Sequence, residues 1–112
     1  MHNPKRCSIL EQSVEVVALA RPIVAGVQRR DRELASQLRR AFSSVCLNLG
    51  EGFGSSSGNA RLRFETALGS LKEAQVGLRV AVAWGYVSQG AIAEVLACAD
   101  CLGGRIFGLV RR

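Results

Sequence analysis

Asn48, Glu51 and Gly52 form a compact cluster at the edge of a helix-period apolar pattern, and Glu73 follows within the next such pattern. Carboxylates inside a helical bundle can hold a pair of metal ions, but those sites also need inward-facing Glu-x-x-His pairs. The only histidine is His2, so no such pair can be built. We therefore predict that the four residues form a structural lock between two helices, in which the amide bonds to backbone and the glutamates pair with arginines. The candidate arginines are Arg39, Arg40 and Arg63.

A second chemical pattern is the C-x-x-C spacing of Cys98 and Cys101. In redox enzymes this motif lies at a helix N-terminus, where the dipole lowers the thiol pKa. Here it falls within a helical apolar pattern, and a zinc site would need two further ligands. We interpret both residues as structural thiols and expect no metal and no cofactor, with a redox or metal enzyme as the third hypothesis for the protein.

The glycine-rich segment 50–54 resembles a phosphate-binding loop only in its glycines. No predicted strand precedes it and no Gly-Lys-Ser/Thr follows, which excludes a Walker motif. A phosphate could still bind at the start of the next helix, beside Arg61 and Arg63. Because the only histidine, His2, lies in the predicted flexible N-terminus, we expect no Ser-His-Asp arrangement and predict that the protein is not an enzyme.

The charge is strongly basic, with 15 Lys and Arg against 9 Asp and Glu and a formal net charge of +6. Arginine contacts phosphate in a bidentate manner and suits nucleic acid, although a solvated arginine face fits the composition equally well. The aromatic residues are few and we expect most to be buried, so binding would be through the backbone and tolerant of sequence. The candidate nucleic-acid-binding residues are Arg29, Arg30, Arg32, Arg39, Arg40, Arg61 and Arg63.

Four helices must position these residues. Apolar residues recur at helical spacing in four segments, and no segment alternates with the period of a strand. The second helix is predicted to begin near Asp31 or Glu33 and to end at Gly50 or Gly52. In the first helix, the residues predicted to form the buried stripe are Leu10, Val14, Val17, Ala20, Val24 and Val27.

Short connections between amphipathic helices predict an all-α, antiparallel up-down-up-down four-helix bundle. Residues 1–7 are predicted to be a flexible tail and residues 8–112 a single domain. No apolar run reaches the roughly 18 residues that a membrane span requires, so we expect a cytoplasmic protein without a membrane partner. The hydrophobic fraction of 48% is high for a small domain and favours an oligomer that covers apolar surface.

The pattern resembles a small bacterial four-helix-bundle family. That family includes proteins encoded within intervening sequences of 23S ribosomal RNA genes and the accessory variability determinant of diversity-generating retroelements. The resemblance implies an up-down bundle that assembles into a homopentameric ring, and for some members binding to nucleic acid or to a reverse transcriptase. The residues that carry it are Gln37–Ala41, Ser44, Asn48, Glu51, Gly52, Arg63, Phe64, Ala67, Gly69–Leu71, Glu73, Gly85 and Tyr86.

Two functional hypotheses remain open at the level of sequence. The first is a homo-oligomeric accessory or scaffold protein that binds RNA or DNA through arginine-rich faces. The second is a protein-interaction module whose arginines serve an acidic partner or the oligomer interface. They differ in whether the arginines cluster on an open face or are paired with carboxylates.

Overall fold

The computed structural model describes residues 8–112, apart from the side chain of Ser57, and the predicted tail of residues 1–7 lies outside this part. The described residues form helices and turns and contain no strand, so the all-α prediction is confirmed. Each helix packs against the next along the chain, and the fourth closes on the first. The helices are α1 (Ile9–Gln28), α2 (Arg32–Phe53), α3 (Ser57–Ala83) and α4 (Gln89–Val110).

Polar side chains cap three of the helix starts. Ser8 accepts a hydrogen bond from the Glu11 amide at 3.0 Å, and Ser88 accepts one from the Ala91 amide at 3.1 Å. The Oδ1 atom of Asp31 accepts from the Leu34 amide at 2.9 Å. Side-chain caps at this position satisfy backbone donors that have no partner within the helix, which explains why α2 begins directly after Asp31.

The core is a continuous apolar cluster to which all four helices contribute. In the first half of α1, however, the predicted buried face is rotated. Ser13 is only 1% exposed and Val16 is also buried, whereas Val14 is 55% exposed and Leu10 is also exposed. Ser13 tolerates this position because its hydroxyl donates to the Leu10 carbonyl at 2.6 Å. Apolar residues occupy several sides of these first turns, so periodicity alone did not determine which side faces inward.

The glycines of α2 do not end the helix, contrary to the sequence-based expectation. The helix continues through Gly50 and Gly52 to Phe53, and the Gly54 amide then donates to the carbonyls of Gly50 and Glu51. Neither glycine adopts a positive φ, a conformation that Gly85 alone shows among residues 8–112. Gly52 is instead required for close packing, as described below.

The outer face of α3 retains exposed apolar side chains. Leu62, Val76 and Val80 are all exposed, Leu62 by 61% and Val76 by 59%. Together with Gly69 they recur at the seven- and four-residue steps typical of a helix–helix contact. Within residues 8–112, no helix combines the length and the apolar character needed to cross a membrane.

Candidate nucleic-acid interface

One end of the bundle carries two chain reversals, residues 29–31 between α1 and α2 and residues 84–88 between α3 and α4; we call it the two-turn end. Arg29, Arg30 and Arg32 lie here and are exposed. Residues 21–40, which lead into and out of the first reversal, contain six arginines and only two carboxylates. The basic charge is therefore dense in this segment of the chain.

Arg39 and Arg40 extend this basic surface along α2. Both are exposed, and the Arg39 guanidinium donates to the side-chain carbonyl of Gln28 on α1. Neither they nor the three arginines of the two-turn end form a salt bridge with another described residue. Five of the seven candidate arginines thus keep their charge unpaired on connected parts of the surface.

Arg61 and Arg63 lie at the opposite end of the bundle, and both are paired. The Nε atom of Arg61 is 3.3 Å from Oε1 of Glu65, and that of Arg63 is 3.0 Å from Oε2 of Glu51. The 22 residues of α2 separate the two ends by about 33 Å. The structure therefore divides the seven arginines into an unpaired group and a paired one.

Asp31 joins the two reversals of the two-turn end. Its Oδ1 atom caps α2, and its Oδ2 atom accepts a hydrogen bond from the Tyr86 hydroxyl at 3.1 Å. Burial raises the pKa of Tyr86, the hydrogen bond and the charge of Asp31 raise it further, and Arg30 opposes them. The Arg30 guanidinium lies 5.7 Å from the centre of the Tyr86 ring, within the range of a cation–π contact. Both oxygens of the Asp31 carboxylate are thus engaged, between Arg30 and Arg32 in the sequence.

The reversal after α3 has the hydrogen bonds of a Schellman motif. The Tyr86 amide donates to the Ala81 carbonyl at 2.9 Å, and the Gly85 amide donates to the Val82 carbonyl at 2.8 Å. Gly85 adopts a φ of 80°, which a residue with a Cβ rarely does. Trp84, the residue before it, stacks on Tyr86 with ring centres 6.4 Å apart and planes inclined by 19°.

Trp84 is 67% exposed, and Phe53 and Phe107 are also more than half exposed. The expectation that most aromatic residues are buried was therefore wrong for these three. Phe53 and Trp84 stand at helix ends, outside the buried stripes, and Phe107 lies on the solvent side of α4. Helical periodicity predicts burial within an element but not at its ends.

A network of hydrogen bonds, which we call the polar junction, joins α2 to α3. The Asn48 side-chain amide donates to the Ser44 carbonyl at 2.9 Å and lies 3.0 Å from the Ser44 hydroxyl, which is 2.7 Å from that of Ser70. Arg63 approaches Oδ1 of Asn48 at 3.5 Å while it pairs with Glu51. Sequence reasoning had placed Ser44 and Ser70 only in the family pattern. The sequence signal that could have identified Ser44 and Ser70 is a small polar residue in each of two amphipathic helices, at positions that face each other.

Gly52 lies buried next to the polar junction and in contact with Phe64 of α3. A Cβ on Gly52 would lie 2.8 Å from Cδ1 of the Phe64 ring and closer still to its Cε1. The structure therefore brings Asn48, Glu51 and Gly52 together where α2 meets α3. It does not bring Glu73 there: this residue is exposed on α3 and forms no hydrogen bond or salt bridge with another described residue.

Cys98 and Cys101 lie in the middle of α4, away from both ends. Burial raises the pKa of the Cys98 thiol, and the negative charges of Glu94, Cys101 and Glu15 act in the same direction. A reactive thiol requires the opposite shift, so the environment of Cys98 disfavours the thiolate. No group of three or more metal-ligating side chains occurs within the part of the chain that the structure describes.

These features define a small all-α protein, a four-helix bundle with a basic end and a polar junction between its central helices. The chain belongs to the 23S rRNA-intervening sequence protein family, whose model matches residues 6–108. The suspected family is thereby confirmed. No curated protein and no solved structure matches the chain.

Proposed function

We propose that this protein is a non-catalytic accessory protein that binds RNA or DNA through its two-turn end in a sequence-tolerant way. The observation that carries the proposal is the separation of its arginines. Arg29, Arg30 and Arg32 are exposed and form no salt bridge with a described residue, whereas Arg61 and Arg63, which pair with carboxylates, lie at the opposite end. Exposed arginines without carboxylate partners are available to bind phosphate, whereas arginines in internal salt bridges are not. The proposed place of action is the cytoplasm, where the nucleic acids of a bacterial cell lie.

The physical basis is release of counterions from the phosphate backbone. Each phosphate that an arginine neutralises frees condensed cations, so affinity falls as salt rises. Arginine suits this task because its planar guanidinium donates two parallel hydrogen bonds to a phosphate. In a homo-oligomer the same surface would be repeated by symmetry, which would strengthen the field of one modest patch.

The test compares two triple variants with equal loss of charge. R29Q/R30Q/R32Q removes the arginines of the two-turn end. R79Q/R111Q/R112Q is the matched control, because its three arginines lie elsewhere on the bundle, are exposed and form no salt bridge with a described residue. Binding to labelled RNA and duplex DNA is measured by anisotropy over a salt series. We expect the first variant to weaken binding and to reduce the slope of log affinity against log salt by about 0.9 per lost contact on duplex DNA.

Each result has a distinct meaning. Loss of binding and of slope confined to R29Q/R30Q/R32Q supports the proposal. Equal effects of the two variants would show that only net charge matters. Weak binding of the unaltered protein at low salt would contradict nucleic-acid binding altogether and favour the alternative, a protein-interaction module with an acidic partner or a reverse transcriptase.

The exposed seam of α3 favours a second candidate role, self-association. Leu62, Gly69, Val76 and Val80 present the spacing of a helix–helix contact to solvent, and the resemblance implies a homopentamer. Glu73 lies on the same exposed side of α3, so a partner copy could supply the cation that Glu73 lacks among the described residues. We expect V76E to lower the oligomer mass in analytical ultracentrifugation. V14E, at a similarly exposed valine of α1, is the control, and an unchanged mass in V76E would contradict this role for α3.

A further inference from the structure

The geometry points to a stacking site for an unpaired nucleobase of single-stranded nucleic acid on the exposed face of Trp84. This inference rests on the proposed function and names the form of nucleic acid that the two-turn end binds. The site consists of Trp84, Tyr86 and Arg30, with Arg29 beside them.

The first support is that the indole is both exposed and held in place. Trp84 is 67% exposed, yet its backbone is fixed by the Schellman hydrogen bonds and by the positive φ of Gly85. Its stacking partner Tyr86 is anchored by its hydroxyl to Asp31. A preformed aromatic surface loses little conformational entropy on binding, which is the condition under which an exposed ring contributes affinity.

The second support is the charge around the ring. Arg29 and Arg30 line a groove of about 490 Å³ with Tyr86 and Ser88 at the start of α4. Trp84 itself lines a different groove, with Asp31 and Glu33 at the start of α2. A phosphate is therefore attracted to the arginine groove and repelled from the carboxylates beside Trp84. This asymmetry directs the backbone of a strand over the arginines and its base toward Trp84.

The third support is the chemistry of stacking. Every base presents a π-face, so a site of this kind accepts any sequence, in agreement with the sequence-tolerant binding proposed above. Duplex bases are already stacked on their neighbours and offer only their edges. Binding at Trp84 thus favours single strands over duplexes of equal length.

The experiment uses the fact that Trp84 is the only tryptophan of the chain, so its fluorescence reports on one site. The intact protein is titrated with an oligouridine and with an abasic phosphodiester strand of the same length, which carries the same charge without bases. Anisotropy of labelled strands measures binding independently. We expect the oligouridine to quench Trp84 and the abasic strand to bind more weakly without quenching.

Variants separate stacking from a structural role. We expect W84A to weaken oligouridine binding by about 5- to 150-fold, the range for one stacked base, and to leave binding of the abasic strand unchanged. W84F keeps an aromatic face and restores most of the lost affinity. F107A removes another exposed aromatic ring, near the end of α4, and leaves both strands unaffected.

The remaining outcomes each overturn the inference. Equal, salt-dependent binding of the two strands without quenching would remove the stacking site and leave the proposed function standing. Trp84 emission that follows protein concentration instead of nucleic acid would place the indole in a contact between copies of the chain. Failure of both strands to bind at low salt would reject this inference together with the proposed function.

Discussion

Replacement of Gly52 by alanine is the sharpest test of the packing between α2 and α3. The added Cβ would lie 2.8 Å from Cδ1 of Phe64, whereas carbon atoms in van der Waals contact are about 3.5–4.0 Å apart. The Phe64 ring is buried and packs on Phe53 with ring centres 5.0 Å apart, so it has little room to withdraw. Overpacking of this kind costs about 1–3 kcal/mol, and the helix gains roughly 0.4–1 kcal/mol when glycine is replaced.

The expected net effect of G52A is a loss of about 1–2 kcal/mol, which corresponds to a fall in Tm of about 4–8 °C for a domain of this size. The matched control is G50A in the same helix, because a Cβ on Gly50 meets nothing within 4 Å. That variant should gain roughly 0.4–1 kcal/mol and melt higher. Both are measured by thermal unfolding followed by circular dichroism, at one protein concentration because association raises Tm.

A second substitution locates the cause of the effect. Leucine at position 64 is smaller than phenylalanine, so F64L should cost less in the G52A background than in the unaltered protein. Such coupling identifies the Gly52–Phe64 contact as the source of the loss. If G52A melts at or above G50A, or if the two substitutions are simply additive, then the proposed close packing is refuted.

Two further predictions concern the polar junction and the two-turn end. N48A should lower the free energy of unfolding by about 1 kcal/mol, as measured by urea denaturation, because it removes the hydrogen bonds of the Asn48 side chain with Ser44 and Arg63. The free energy of unfolding of E73Q should lie within about 0.5 kcal/mol of that of the unaltered protein. A loss in E73Q equal to that in N48A would contradict the conclusion that Asn48 belongs to the polar junction and Glu73 does not. Tyr86 is the only tyrosine, so its tyrosinate absorbance reports one pKa, which should exceed the ordinary 10.0 in the folded protein and fall toward it in D31N. Because the pKa of Tyr86 is raised in the folded protein, its contribution to stability is complete below the pKa of the unfolded chain and is lost as pH rises through the folded pKa. A pKa of Tyr86 in the folded protein at or below that in the denatured chain would be inconsistent with the Asp31 hydrogen bond.

Several features could be predicted from local patterns alone. Apolar spacing identified four helices, because a helix that buries one stripe must repeat it every three or four residues. Asp31 was recognisable as a starting point of α2 because its side chain satisfies a backbone donor within three residues. The cluster of Asn48, Glu51 and Gly52 was recognisable at a helix junction because polar groups beside an apolar seam require partners.

Other features depended on how the helices pack. The rotation of α1, which buries Ser13 and exposes Val14, follows from the neighbouring helices, since its first turns are apolar on several sides. The role of Gly52 became visible only with Phe64 placed against it, because a close approach between two helices is not a local property. Likewise Glu73 belongs to the family pattern but is not brought to the polar junction within the chain.

By itself the sequence determined the helical class, the start of α2 and the excess of arginine, all of which depend on composition or on residues close together in the chain. Only the tertiary structure separated Arg29, Arg30 and Arg32 from the paired Arg61 and Arg63. It also placed the exposed Trp84 ring at the same end of the bundle as Arg29, Arg30 and Arg32. The physical reason is that electrostatic and stacking surfaces are formed by residues distant in sequence, whose relation is set by the packing of whole helices.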